Sequence, residues 1–329
     1  MVMHPALFLA VSVFSMGEPG QAVLQPRVQQ TPMQQTAQQD QSPSPQDELV
    51  FATDETRMTV PVTIGGAGPY RFIVDTGSER TVVSREVATA LSLAPGPMVR
   101  VTAMAGTVPV PTVAVSRIVV GTPRAGASLT ATRIEAPILF ARNLGAAGLV
   151  GIDTLQGKAV EIDFARDVMT VSPATRRTRR ETFGPDDIVI RAKNVLGQLV
   201  VTDAVYDGRR IRVVIDTGSV VSMGNIALQR LVGRSSGSLT AVRLLSVTGA
   251  MLDAQYGIVT GVHVGEIGLA NLPIAFSDAA PFRRLGLADR PALLLGMDAL
   301  RLFGRVRIDF ANRELHLARP RAAAVPGIP

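Results

Sequence analysis

Cysteine is absent from the 329 residues, and histidine occurs only as His4, His263 and His316. Without cysteine there are no disulfides, no thiol nucleophile and few routes to a structural zinc site, so no metal and no cofactor is expected. His4 lies in a leader, and His263 and His316 fall in alternating, strand-like segments, where a structural role is the simpler reading than catalysis. Lysine occurs only as Lys158 and Lys193, so the net charge of +6 comes from scattered arginines, with one cluster at Arg176-Arg177-Thr178-Arg179-Arg180. A solvated connector explains that cluster; a protease-sensitive or membrane-touching linker is the sharper alternative. Aromatics make up 4%, too few to supply stacking platforms, so no nucleic-acid partner is expected.

Long apolar runs are also missing. The N-terminal stretch Ala6 to Met16 is 11 residues, far short of the roughly 20 that a spanning helix needs, so no integral membrane span is expected. With the small residues around Gly20-Gln21-Ala22 it reads as a signal peptide, residues 1–22, cleaved after Ala22. No basic residue precedes the apolar stretch, so an uncleaved anchor is the alternative. Residues 23–48 are rich in Gln and Pro with little to bury, the composition of a flexible tether. Together these features suggest an exported protein, periplasmic or secreted.

The remaining chain, in a protein that is 47% hydrophobic, has material for two cores of ordinary domain size. It also holds a repeat. Asp75-Thr76-Gly77-Ser78 and Asp216-Thr217-Gly218-Ser219 each end an apolar run, Phe72-Ile73-Val74 and Val213-Val214-Ile215. At average residue usage a given tetrapeptide arises about once in 10⁵ positions, so two copies in matching contexts are no accident. Asp216 follows Asp75 by 141 residues (216 − 75), and the same offset relates Ser84 to Asn225, each placed to cap a short helix. Leu149-Val150-Gly151-Ile152-Asp153 is matched by Leu294-Leu295-Gly296-Met297-Asp298, and Val160-Glu161-Ile162-Asp163-Phe164 by Val306-Arg307-Ile308-Asp309-Phe310. The offset drifts only to 146 (306 − 160), which defines two lobes of similar build. Two aspartates sharing a proton across a water can act as general base and general acid in one step, hydrolysing an amide with neither metal nor covalent nucleophile.

These residues resemble the aspartic proteases of pepsin and retropepsin type, most closely compact bacterial retropepsin-like proteins with two fused lobes. The motifs are an apolar strand ending in Asp-Thr-Gly-Ser/Thr/Ala and, later in the lobe, two apolar residues followed by Gly. Both lobes carry both, and the likeness spans about residues 50 to 319. It implies a mostly β, bilobal acid-protease fold: an N-terminal lobe over 49–173, a connector over 174–187, a C-terminal lobe over 188–319 and a tail over 320–329. It further implies an endopeptidase with Asp75 and Asp216 as the catalytic pair, a polypeptide substrate bound extended between the lobes, and a single chain complete as a monomer. The alternative is a non-catalytic peptide-binding protein on the same fold.

By the same resemblance Thr76 and Thr217 cross-bond the two active-site loops. Gly77 and Gly218 let the backbone turn tightly beside each carboxylate. Ser78 and Ser219 match residues that donate a hydroxyl to the outer aspartate oxygen, which lowers the titration of the pair and sets an optimum on the acidic side of neutral. Asp-Gly at 207–208 and the glycines at 65–68 mark hairpins whose second strands deliver the aspartates. Hairpins tipped at Gly106 and Gly249 are candidate flaps, without the Tyr of the pepsin flap; plain surface hairpins are the alternative. Asp153 and Asp298 are read as helix starts rather than as catalytic groups. Gly233-Arg234-Ser235-Ser236-Gly237 fits a serine-hydrolase pattern, followed by Asp253 and by His263 or His316, but a helix precedes it where a strand is required.

Overall fold

The computed structural model describes residues 11–13, 48–50, 52–54, 57–121, 129–174, 188–233 and 237–318. His4, the cleavage point after Ala22, the tether up to Asp47, the connector from 175 to 187 with its Arg176–Arg180 cluster, residues 234–236 of the Gly-x-Ser-x-Gly pattern and the tail over 320–329 lie outside the described residues.

In the N-terminal lobe Arg57–Ile64 and Ala67–Val74 pair as the expected hairpin, with Val60 opposite Phe72. Its partner in the C-terminal lobe is Gln198–Tyr206 with Arg209–Ile215, turning at Asp207-Gly208. Both turn residues there have positive φ, 46° and 73°, the type I′ geometry that matches strand twist and that Asp-Gly tolerates. Ala67–Val74 then runs parallel to Gly148–Val150, with Ile73 opposite Leu149. The sheet continues through Val82–Ser84, Leu129–Leu139 and Gly106–Val120. The far end of Gly106–Val120 returns to the first strand, Val120 opposite Val62, closing a barrel.

The second lobe repeats that path through Ala292–Leu295, Met223–Gly224, Leu272–Phe276 and Met251–Val259. Here the long return strand is interrupted, and Val262–Val264 completes the closure against Gln198–Tyr206. The architecture is mostly β, as the resemblance implies.

The apolar runs before the aspartates are unbroken because both faces of these central strands are covered. Phe72 and Val74 point into the main core while Ile73 packs with Val82 and Leu149 on the other face. Val213 and Ile215 do the same in the second lobe, with Val214 joining Met223 and Leu294. The caps form as expected: Ser84 Oγ accepts from the Val87 amide (3.2 Å) and Asn225 Oδ1 from that of Leu228 (2.8 Å). They open the helices Arg85–Ala90 and Ile226–Val232.

A further sheet joins the lobes. Its order is Glu48–Val50, Val168–Pro173, Lys158–Asp163, Arg305–Asp309, Glu314–Ala318, Ile188–Val195. The last hairpin of the N-terminal lobe is therefore hydrogen-bonded to the C-terminal lobe. At its centre Glu161 lies opposite Arg307, the same position in the two repeats, so the pseudo-twofold axis passes between them. Identical subunits would place identical residues there. This chain has an ion pair instead, Arg307 Nη1 to Glu161 Oε2 at 3.4 Å and Arg305 Nη1 to Oε1 at 3.5 Å. Within the leader, Val11–Val13 pairs antiparallel with Leu244–Ser246, on the edge of a C-terminal-lobe hairpin. No helix of the described residues is long and apolar enough to cross a membrane.

Candidate active site

Each motif aspartate leaves its strand still hydrogen-bonded to the strand beside it. The Asp75 amide donates to Val150 O (2.9 Å) and the Asp216 amide to Leu295 O (3.0 Å). Two residues on, the backbone folds back on the side chain. Gly77 N–H donates to Asp75 Oδ1 at 2.9 Å, and Gly218 and Ser219 N–H donate to Asp216 Oδ1 at 3.0 and 3.2 Å.

The threonines cross from one lobe to the other. Thr76 N–H donates to Thr217 Oγ1 and Thr217 N–H to Thr76 Oγ1, both at 3.1 Å. Each hydroxyl gives its own proton to the strand that delivers the opposite aspartate, Thr76 to Ile215 O (3.0 Å) and Thr217 to Val74 O (2.8 Å). All four bonds are buried. A buried partner left unmade costs about 1–3 kcal/mol, so this crossing holds the two loops in fixed register.

The consequence is close apposition of the two carboxyl groups with the opposite loops. A methyl carbon built on Gly77 would lie 2.7 Å from Asp216 Cγ, and one on Gly218 would meet the Asp75 carboxyl group just as closely. No side chain larger than hydrogen fits either place. Asp75 is 1% exposed and Asp216 4%, so both carboxyl groups are kept out of bulk water.

Two regions of the chain, residues 60–154 and 202–299, match the family model described as aspartyl protease, and each contains one of these loops. The chain belongs to that family. The matches are of the retropepsin-like kind and support a protease function. No curated protein matches the chain.

Other residues of this chain take places that the sequence only partly forecast. Ser78 Oγ donates to Arg80 O (2.7 Å) and Ser219 Oγ to Val221 O (2.8 Å). A hydroxyl has one proton, so the expected donation to the outer aspartate oxygen is corrected: these serines close the turn that follows each aspartate. Asp153 and Asp298 do stand in the first turns of the short helices Ile152–Leu155 and Met297–Leu300. They also brace the active-site loops. Asp153 Oδ1 accepts from Thr81 N (2.9 Å), Thr81 Oγ1 (2.7 Å) and Thr154 N (2.8 Å). Asp298 accepts from Ser222 N (2.9 Å), Ser222 Oγ (2.6 Å) and Ala299 N (2.7 Å). Burial pushes both carboxyl groups above the usual range, and these hydrogen bonds pull against it. Thr81 and Ser222 carry the repeat's offset of 141 (222 − 81), the one sequence signal that pointed to them.

The glycines of the apolar-apolar-Gly motif are explained by packing. A methyl on Gly296 would sit 2.8 Å from the backbone of Val221, and one on Gly151 would press as hard on Arg80. Gln198, which the sequence reading missed, donates from Nε2 to Gly77 O across the lobes.

Both candidate flaps are hairpins, Pro95–Ala103 with Gly106–Val120 and Thr240–Ser246 with Met251–Val259. Gly106 and Gly249 adopt φ of 143° and 86° at their tips, where glycine is favoured. Each tip reaches the opposite lobe. Met104 is buried against Val214, Met223 and Leu294, and Val247 against Ile73, Val82 and Leu149. Both histidines within the described residues are structural in setting. His263 Nδ1 lies 3.2 Å from Gly261 O, and His316 is buried with its Nε2 3.4 Å from Glu314 Oε2. Gly233 follows directly on the helix Ile226–Val232, the wrong context for a nucleophilic serine. Among the described residues no cluster of three or more His, Cys, Asp or Glu is arranged to hold a metal ion.

Proposed function

We propose that the protein is an aspartic endopeptidase in which Asp75 and Asp216 act as one unit. The observation that carries this reading is the threonine crossing, which sets each aspartate against the other lobe's glycine. Two carboxyl groups held together in a site shielded from solvent cannot both ionise cheaply, so they share one proton. The ionised member takes a proton from a water as that water attacks the scissile carbonyl, and the protonated member donates to the developing oxyanion. The proton gained from water then passes to the leaving amine. A polypeptide would lie extended between the lobes, pairing with backbone and placing alternate side chains in pockets. Both halves of the pair come from one chain, so a monomer is complete. The apolar stretch from Ala6 to Met16 and the Gln/Pro-rich segment after it support work outside the cytoplasm.

Digestion of a peptide library by purified wild type, Asp75→Asn and Asp216→Asn tests the assignment. Cleavage by the wild type alone is expected, and cleavage by either variant at near-normal rate refutes it. Binding without cleavage by the wild type would identify a peptide-binding protein instead.

A further inference from the structure

The two lobes are not equivalent at the residue after each Asp-Thr-Gly-Ser motif. Glu79 occupies that place in the first lobe and Val220, 141 residues on (220 − 79), in the second. The backbones do correspond: Asp153 N–H donates to Glu79 O (3.3 Å) and Asp298 N–H to Val220 O (3.1 Å). The side chains do not. The Glu79 carboxyl group, 9% exposed, crosses to the other lobe and accepts from Arg284 Nη2 at 3.4 Å, while the Arg284 side chain is 27% exposed.

Arg284 ends the five-residue helix Ala280–Arg284. At the other end of that helix Ala280 N–H donates to Met104 O (3.1 Å), at the tip of the first lobe's hairpin. A helix of this length spans about 7 Å, so one rigid link joins the active-site loop and the hairpin tip of the first lobe. On the opposite side the contact is neutral, with the Asn143 side chain against Gly249.

We propose that Glu79 and Arg284 form a one-sided positioning clasp that holds the first lobe's hairpin down on the second lobe and loosens when Glu79 gives up its proton. This deepens the protease reading and rests on it, because the hairpin must lift to admit a polypeptide. Among the described residues, the charges facing Glu79 can be named. Arg284 comes from the C-terminal-lobe helix and Arg80 from its own loop. Glu135 stands behind Arg80, with Oε2 4.0 Å from Nη1. The Asp153 side chain is turned to Thr81 and Thr154. Arg283, next to Arg284, is engaged with Asp278. Burial pushes the Glu79 carboxyl up to about 7 despite the opposing pull of the arginines. Below neutrality the uncharged carboxyl accepts a hydrogen bond from the charged Arg284 guanidinium and stays buried; above neutrality the buried carboxylate costs more than Arg284 returns, and the clasp loosens. Substrate entry is therefore freer above neutrality, and the clasp holds tighter on the acidic side.

The test separates entry from chemistry by following KM and kcat between pH 5 and 8. The dyad's own titration appears in kcat, whereas the clasp moves KM. For the wild type KM falls several-fold on passing upward through about pH 7. For Glu79→Gln, a neutral isostere, KM stays near the acid value throughout. In Arg284→Met the clasp cannot form, so KM is low at every pH, and Arg284→Lys restores the pH dependence.

Thermal melts without substrate give an independent arm. The folded state holds the Glu79 proton up to about pH 7 and the unfolded chain only to 4.5, so this group's contribution is full below 4.5 and is lost as pH rises through 7. Glu79→Gln lacks that component. Equal melting profiles for wild type and Glu79→Gln overturn the clasp, as does a uniform loss of activity with no change in the pH dependence of KM. Melts that differ, with no hydrolysis by the wild type at any pH, overturn the protease reading and leave the clasp standing.

Discussion

Thr217→Val is the sharpest probe of how this site is held together. Valine has the shape of threonine, so packing is preserved and only the hydroxyl disappears. Two buried groups then lose their partners, the Thr76 amide that donated at 3.1 Å and the Val74 carbonyl that accepted at 2.8 Å. At about 1–3 kcal/mol for each orphaned group the variant should lose about 2–6 kcal/mol, a large part of the 5–15 kcal/mol typical of a folded protein. It should still fold at room temperature, with a lower urea midpoint. The two aspartate loops lose their mutual register, and a displacement of about 1 Å at a reacting centre can cost 10²-fold in rate. Urea unfolding gives the stability change and peptide turnover gives kcat/KM. Thr217→Ser keeps the hydroxyl and loses one methyl, so its cost should be about 1 kcal/mol with most activity retained. Thr76→Val should behave like Thr217→Val, and the double variant should fall short of the sum because both hydroxyls belong to one network. A Thr217→Val protein within about 0.5 kcal/mol of wild type, or a Thr217→Ser protein equally damaged, would refute the crossing as the element that aligns the loops.

Asp75→Asn and Asp216→Asn should each abolish hydrolysis while leaving circular dichroism and the melting transition near wild type, since an amide of the same shape cannot shuttle the proton. Ser78→Ala with Ser219→Ala should lower stability by about 1–3 kcal/mol per serine, through the stranded carbonyls of Arg80 and Val221, and leave the pH optimum in place; a shift of the profile would return the hydroxyls to the aspartates. Gly77→Ala places a methyl against Asp216 and should cut kcat by at least about 10², with a smaller change in KM. Specific activity should hold constant on dilution, because both aspartates belong to one polypeptide; a fall that tracks dissociation in light scattering would show a required dimer.

Much of this protein was legible in the chain because the relevant physics is local. Unbroken apolar runs such as Phe72-Ile73-Val74 announce strands covered on both faces, Asp207-Gly208 announces its turn, and Ser84 and Asn225 announce their helices. Duplication did the rest, since two copies of Asp-Thr-Gly-Ser at a constant offset place the two aspartates in equivalent loops of equivalent lobes. What the serines bond to was not local. The choice between an aspartate oxygen and the carbonyl of Arg80 or Val221 depends on how the following turn folds, and the turn won both times.

The shared sheet also escaped the sequence, because pairing between 158–163 and 305–309 joins segments that a lobe-by-lobe reading assigns to separate units. The same holds for Glu161 facing Arg307 and for Glu79 reaching Arg284, where the repeats differ in charge. A repeat in the sequence determines what is equivalent between the lobes. Only the tertiary structure decides what meets across the axis, because residues far apart in the chain become neighbours only when the lobes dock, and there the departures from symmetry acquire partners.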